Sequence, residues 1–139
     1  MKRLKRVLLI DDYEADNFMH EMLFEEMGCA DEIVVKLNGR EALDYLTTPQ
    51  QGQLPRPDLI CLDINMPVMN GWEFIEAYDA LDEDMRGGVV LMMLTTSLNP
   101  DDRARAEQRG CIADFVSKPL TRDSLANLLS KHFPDLEMS

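Results

Sequence analysis

Asp63 is the residue of this chain whose position most strongly indicates chemistry. It directly follows the apolar run at residues 59–62 and is followed by a turn-forming segment at residues 66–72. Burying a carboxylate at the end of a strand costs free energy unless a cation or a hydrogen-bond donor compensates its charge. The sequence therefore predicts a functional partner for Asp63.

Acids, hydroxyls and a lysine also stand at the ends of other apolar runs. Because the carboxyl ends of parallel strands meet in one crevice of an open sheet, we expect these side chains to converge on Asp63. The converging set consists of Asp11, Asp12, Thr95, Thr96 and Lys118.

Such a constellation of side chains favours phosphoryl chemistry with a metal ion. Clustered carboxylates repel one another, by about 4 kcal/mol for two charges ~4 Å apart at an effective dielectric near 20. A divalent cation removes this repulsion, and oxygen ligands without histidine or thiolate favour Mg²⁺, or Mn²⁺ in its place, over zinc. One aspartate can then attack phosphorus and form an aspartyl phosphate. A lysine and a hydroxyl group would stabilise the charge on the phosphoryl oxygens.

The elements that must position these residues form a regular alternation. Five apolar runs of strand length alternate with five amphipathic stretches of helix length, and the runs lack the polar alternation of half-exposed strands. This pattern predicts a three-layer α/β domain with right-handed crossovers around a doubly wound, five-stranded parallel sheet. The predicted strands are residues 7–10, 33–37, 59–62, 89–94 and 115–117, and the predicted helices are residues 15–27, 40–46, 72–81, 102–109 and 124–133.

The first predicted helix carries large apolar side chains at helical spacing. Phe18 pairs with Met22, and Met19 pairs with Leu23, so we expect these residues to pack into the core. His20 on the same helix is interpreted as a surface residue or a hydrogen-bonded core residue.

Capping residues mark several of the helix boundaries. Polar side chains that accept backbone hydrogen bonds begin helices, and glycine ends them. Asn70-Gly71 is interpreted as a turn. The remaining predicted caps are Gly28, Asn38, Asn99 and Thr121.

Composition excludes several classes of function. A chain of 139 residues that is 45% hydrophobic fits one compact domain. The net charge of -12 disfavours binding to nucleic acid, and no apolar stretch is long enough to span a bilayer. Three cysteines without a C-x-x-C pair indicate reduced thiols in a cytoplasmic protein. The basic residues 2–6 are interpreted as a solvated lead-in to the first strand.

The motifs, taken in order, resemble the receiver domain of two-component response regulators. The resemblance extends from about Arg6 to Phe133 and implies a flavodoxin-like fold with strand order 2-1-3-4-5. Only residues 134–139 follow the last predicted helix, so we expect residues 1–139 to form a single receiver domain without an output domain. The motifs are Asp11-Asp12, Asp63 with Met66-Pro67 and Asn70-Gly71, Leu94-Thr95-Thr96-Ser97, and Lys118-Pro119.

The resemblance implies a role for each acid at the crevice. Asp63 would be the phosphoacceptor. Asp12 and Asp63 would ligate Mg²⁺ directly, together with the main-chain carbonyl of Asn65. Asp11 would act on the metal through a bound water.

The resemblance also implies which residues contact the phosphoryl group and transmit its arrival. Lys118 would be the phosphate partner and Thr95 the switch hydroxyl. Phe115 would be the switch aromatic, at a position where the family often has tyrosine.

Activity and partners follow from the same resemblance. Phosphoryl acceptance and autodephosphorylation would be the only catalysis, with no organic cofactor. The phosphoryl group would come from a histidine kinase or a phosphotransfer protein, and the downstream target is unknown. A homodimer would form through the fourth predicted helix, the fifth strand and the fifth helix.

Other functions fit the residues less well. A haloacid-dehalogenase-like phosphatase needs Asp-x-Asp after its first strand, whereas Asp63-Ile64-Asn65 follows the third. A flavin carrier would bind phosphate after the first strand, where the acidic residues 11–14 would repel it. A pseudo-receiver that serves only as a scaffold would not need the complete set of site residues.

Overall fold

The computed structural model describes residues 3–86, 90–96, 99–118 and 120–136 of the chain. Its strands are β1 (Leu4–Ile10), β2 (Ala30–Lys36), β3 (Leu59–Asp63), β4 (Val90–Thr95) and β5 (Ile112–Ser117). Its helices are α1 (Glu14–Met27), α2 (Gly39–Thr47), α3 (Gly71–Asp79), α4 (Glu83–Arg86), α5 (Pro100–Glu107) and α6 (Arg122–His132).

The five strands form one parallel sheet in the order β2-β1-β3-β4-β5. This order confirms the predicted doubly wound fold, because the chain moves first to one side of β1 and then to the other. Among the described residues, no helix has both the length and the apolar character needed to cross a membrane.

Two hydrophobic cores lie on opposite faces of the sheet. Leu8 and Ile10 of β1 point into the core beneath α2, α3 and α5. Val7 and Leu9 point into the core beneath α1 and α6. Because both faces are covered, the inner strands are apolar at successive positions.

The first two strands begin earlier than predicted. β1 and β2 start at Leu4 and Ala30, whereas the apolar pattern predicted residues 7 and 33. The additional residues include the buried Leu4 and several charged residues. Arg6 lies opposite Glu32 with a nitrogen–oxygen distance of 3.1 Å. Residues 4–6 of the predicted lead-in therefore belong to β1, and Lys2 lies outside the described residues.

Other boundaries differ by a few residues. β5 is the opposite edge strand and begins at Ile112 rather than at residue 115, because the charged Asp114 interrupts the apolar pattern. Helix α4 was not predicted, since four residues are too few to show a helical period. Val89, the predicted first residue of the fourth strand, lies outside the described residues.

The predicted core face of α1 is wrong. Phe18 is 65% exposed, Met19 is 54% exposed and Met22 is 42% exposed, and only Leu23 packs partly against the core. The side chains of Phe18, Met19 and Met22 therefore do not pack into the core, although their helical spacing had predicted that they would.

The buried face of α1 is polar at its beginning and apolar at its end. Asn17 and His20 are 4% and 5% exposed, and Phe24 and Met27 continue the same inward stripe. Asn17 Nδ2 donates a hydrogen bond of 2.7 Å to the main-chain oxygen of Asp11. The sequence pattern failed here because the first inward residues contact the candidate site and not the hydrophobic core.

The predicted caps are confirmed. The backbone of Gly28 adopts a left-handed conformation at the end of α1, with φ of 59°. The side chains of Asn38, Asn99 and Thr121 accept backbone hydrogen bonds at the beginnings of α2, α5 and α6.

Candidate functional site

The carboxyl ends of β1 and β3 bring three aspartates together. Ile10 lies beside Leu62 in the sheet, so Asp11 follows β1 next to Asp63 at the end of β3. Asp11, Asp12 and Asp63, hereafter the acidic cluster, place carboxylate oxygens within 4.8 Å of one another. Asp12 is exposed, so the cluster opens to solvent.

Asp11 is held rigidly in this crevice. Its backbone nitrogen donates to Lys36 of β2 at 3.1 Å, and its Oδ1 accepts from the backbone nitrogen of Tyr13 at 3.0 Å. Its main-chain oxygen accepts from Asn17, as described above. The first turn of α1 therefore folds around Asp11 and fixes the direction of its carboxylate.

Lys118 follows β5 and extends its ammonium group into the same crevice. Its Nζ lies 2.5 Å from Asp11, 2.8 Å from Asp16 and 3.3 Å from Asp63. Burial alone would lower the pKa of Lys118, but hydrogen bonds to Asp11 and Asp16 outweigh this effect and raise it. The lysine is therefore positively charged at neutral pH.

The carboxyl group of Asp63 is the most perturbed acid of the site. Its side chain is 11% exposed. Burial, and then the charge of Asp11, raise its pKa from 3.8 to about 6, while Lys118 opposes the shift. Above pH 6 Asp63 is mostly ionised, which leaves a poorly solvated carboxylate oxygen available as a nucleophile.

The segment after β3 fixes the backbone behind this carboxylate. The nitrogen of Gly71 donates to the main-chain oxygen of Ile64 at 2.7 Å. A Cβ atom at Gly71 would lie 2.5 Å from the main-chain oxygen of Asp63, so no larger residue fits without a shift. Asn70 forms a capping box with Glu73 at the start of α3. Asn70-Gly71, interpreted from the sequence as a turn, is thus also the support of Asp63.

The two threonines after β4 differ in environment. Thr95 is fully buried, whereas Thr96 is exposed. The main-chain oxygen of Thr95 accepts from the backbone nitrogen of Lys118 at 2.8 Å, which joins the ends of β4 and β5. The role of Thr95 as the switch hydroxyl stays a prediction.

The remaining candidate residues lie after β3 and on β5. Asn65 is exposed two residues beyond Asp63, and Phe115 is half-buried on β5 with the Arg103 guanidinium 5.7 Å from its ring centre. Ser97 and Pro119, which belong to the quoted motifs, lie outside the described residues.

Asp16 is the site residue that sequence reasoning missed. It lies in the first turn of α1 and contacts Lys118, as described above. Its signal was its spacing from His20, because the two polar residues are four positions apart on the helix and thus share a face.

The acidic cluster fits a hard divalent cation. All of its ligand atoms are carboxylate oxygens, which suit Mg²⁺ or Mn²⁺ and not zinc. The exposed side at Asp12 leaves room for the waters that Mg²⁺ usually retains.

Comparisons with known proteins agree with this geometry. Residues 7–130 match the response regulator receiver domain family. The chemotaxis protein CheY of Halobacterium salinarum is 31% identical over 127 residues, which cover 91% of this chain and 94% of that protein. A crystal structure of a two-component response regulator from Cytophaga hutchinsonii superimposes with a TM-score of 0.81 at 32% identity, covering 96% of this chain and 99% of that one.

A longer relative shares only part of its length. A protein-glutamate methylesterase/protein-glutamine glutaminase of Desulfotalea psychrophila is 37% identical over 127 residues, or 91% of this chain. The chain spans about a third of that protein, 32% of its length.

The family match covers the sheet and every strand that carries the site. It replaces the alternatives of a haloacid-dehalogenase-like phosphatase and a flavin carrier, which the sequence had left open. The chain belongs to the response regulator receiver domain family, whose members act as phosphorylation-dependent switches in two-component signalling.

Proposed function

We propose that Asp63 is the phosphoacceptor of this receiver. The observation that carries the proposal is the combination at Asp63 of a nearly buried carboxylate, two neighbouring acids and the Lys118 ammonium at 3.3 Å. Phosphoryl transfer needs a positioned nucleophile and positive charge near the equatorial oxygens, and this crevice offers both.

In the proposed reaction, one carboxylate oxygen of Asp63 forms a bond to phosphorus. The bond between phosphorus and the donor's nitrogen or oxygen breaks, and the donor leaves with that electron pair. Lys118 and the hydroxyl of Thr95 would then contact the phosphoryl oxygens. Hydrolysis by water restores the free carboxylate and inorganic phosphate.

The acidic cluster would hold Mg²⁺, with Asp12 and Asp63 as direct ligands, Asp11 through a water, and the carbonyl of Asn65 completing the site. The ion would supply positive charge that offsets repulsion between the carboxylates and the incoming phosphoryl group. Mn²⁺ has the same preference for oxygen ligands and would substitute.

Thr95 and Phe115 would form the switch. Phe115 lines a shallow cavity of about 140 Å³ between α5 and β5, whose walls also include Arg103 and Ala106. Movement of Thr95 toward a phosphoryl group would vacate space in which the ring can repack. The surface that changes would be the one formed by α5, β5 and α6, which correspond to the fourth predicted helix, the fifth strand and the fifth predicted helix.

This switching surface would bind the downstream target or a second copy of the chain. The donor would be a histidine kinase or a phosphotransfer protein. We further propose that residues 1–139, with a core of about residues 6–133, act as a single receiver domain in the cytoplasm. This domain would catalyse nothing beyond its own phosphorylation and dephosphorylation. The three free cysteines support a reducing location.

Incubation with acetyl phosphate and Mg²⁺, followed by intact mass spectrometry, tests the proposal. Wild-type protein should gain one phosphoryl group, and Asp63→Asn should gain none. Asp44→Asn is the matched control, because Asp44 is an exposed aspartate on α2. A wild-type protein that never gains a phosphoryl group would instead support the pseudo-receiver alternative.

A further inference from the structure

The ammonium of Lys118 has one carboxylate partner that the proposed chemistry does not use. Asp16 Oδ2 lies 2.8 Å from Lys118 Nζ, closer than the 3.3 Å that separates Nζ from Asp63. The Asp16 side chain is 28% exposed, against 6% for Asp11, so it lies at the mouth of the crevice.

Asp16 does not belong to the acidic cluster. Among the described residues, the carboxylate oxygens that lie close enough together to share a metal ion are those of Asp11, Asp12 and Asp63. Asp16 therefore acts on the cluster through the lysine, and not as a ligand. Burial, followed by the charge of Lys118, lowers the pKa of His20, one turn further along α1, and so favours its neutral form.

Lys118 and a divalent cation compete for the same carboxylates. An ammonium at 2.5 Å from Asp11 neutralises that carboxylate in the absence of metal, and metal binding weakens the contact. A buried ammonium that loses its partners is costly, since a desolvated charge needs compensation. A third carboxylate outside the cluster gives Lys118 a partner that metal binding leaves in place.

We propose that Asp16 is a positioning residue that holds the Lys118 ammonium at the edge of the acidic cluster, so that a divalent cation can bind without leaving the lysine unpaired. The inference rests on the proposed function, because it assigns Asp16 to the same site. Without Asp16, the ammonium shifts onto Asp11 and Asp63 and competes more strongly with the metal.

Titration of the protein with Mg²⁺, followed by backbone amide chemical shifts, measures this effect without phosphorylation. Asp16→Asn should raise the Mg²⁺ dissociation constant about fivefold, which is about 1 kcal/mol. Asp16→Glu should restore most of the affinity. Glu14→Gln is the matched control, because Glu14 is exposed, lies in the same first turn and carries the same charge.

A double-mutant cycle tests whether the effect passes through the lysine. In a Lys118→Met background, Asp16→Asn should weaken Mg²⁺ binding no more than Glu14→Gln does. The inference is overturned if Asp16→Asn and Glu14→Gln behave alike in the wild-type background, or if Asp16→Asn has its full effect without Lys118. If Lys118→Met does not fold, the comparison of Asp16→Asn with Glu14→Gln in the wild-type background still tests the inference.

Failure of the proposed function would look different. A wild-type protein that binds Mg²⁺ but is never phosphorylated on Asp63 contradicts the proposed function alone. A protein that is phosphorylated on Asp63 while Asp16→Asn binds Mg²⁺ normally contradicts only the role of Asp16.

Discussion

The carboxylate of Asp63 is destabilised by its own surroundings. Burial and the neighbouring charge of Asp11 favour its protonated form, and the Lys118 contact compensates only partly. The acidic cluster thus carries excess negative charge. This excess charge should lower the free energy of unfolding.

We expect Asp63→Asn to stabilise the metal-free protein at pH 7.5. The pKa of Asp63 is about 6 in the folded protein and 3.8 for an unperturbed aspartate. Protonated Asp63 therefore contributes stability that is fully present below pH 4 and is lost as the pH rises through 6. The gain at pH 7.5 should be about 1–3 kcal/mol and should vanish near pH 4.

Denaturant unfolding of both proteins in EDTA at several pH values measures the difference. Taking the difference cancels the titration of the groups that the two proteins share. A gain that is the same at pH 4 and pH 7.5 would show that repulsion at Asp63 is not its cause.

The position of the start of α3 depends on one glycine, Gly71. A methyl group at Gly71 would collide with the main-chain oxygen of Asp63 at 2.5 Å. We expect Gly71→Ala to destabilise the fold by about 1–3 kcal/mol, the usual cost of an overpacked site, and to slow phosphorylation by acetyl phosphate.

Gly110→Ala is the control for this substitution, because a Cβ atom there meets nothing within 4 Å. It should change stability by no more than about 0.5 kcal/mol. Equal melting temperatures for Gly71→Ala and Gly110→Ala would contradict the role of Gly71 as the support of Asp63.

Helix α1 presents apolar side chains to solvent and polar side chains to the site. Phe18 is 65% exposed and Phe24 is fully buried, although both are phenylalanines of the same helix. Phe24→Ala should therefore cost about 3–5 kcal/mol of stability. Phe18→Ala should cost no more than about 0.5 kcal/mol.

Thermal unfolding followed by circular dichroism compares the two variants directly. Because Asn17 and His20 face inward, the buried face of α1 differs from the face that its apolar spacing predicted. A large loss of stability in Phe18→Ala would contradict the orientation of α1 described here. It would support the orientation predicted from the sequence, in which Phe18 packs into the core.

Across the domain as a whole, Mg²⁺ should raise the free energy of unfolding. The acidic cluster exists only in the folded state, and a ligand at about tenfold excess over its dissociation constant adds about 1.4 kcal/mol. Asp12→Asn should erase most of this gain, whereas Asp44→Asn should retain it. A melting temperature that does not respond to Mg²⁺ in the wild-type protein would exclude a shared metal pocket.

The fold and the location of the crevice were readable from the sequence because buried parallel strands leave long apolar runs, and polar residues directly after them must meet. Asp11, Asp63 and Lys118 were found in this way. Asp16 was not, since its signal was only its four-residue spacing from His20, and that spacing does not show that the shared face contacts a lysine after β5. The starts of β1 and β2 were missed for a different reason, because charged residues such as Arg6 and Glu32 interrupt the apolar pattern there.

The most direct test of phosphorylation on Asp63 is chemical trapping of the product. Borohydride reduces an aspartyl phosphate to homoserine and releases phosphate, so it marks the modified residue permanently. After treatment of the wild-type protein with acetyl phosphate and Mg²⁺, peptide mass spectrometry should find homoserine at position 63. Homoserine at position 11 or 12, or a phosphorylated protein without any at position 63, would contradict the assignment.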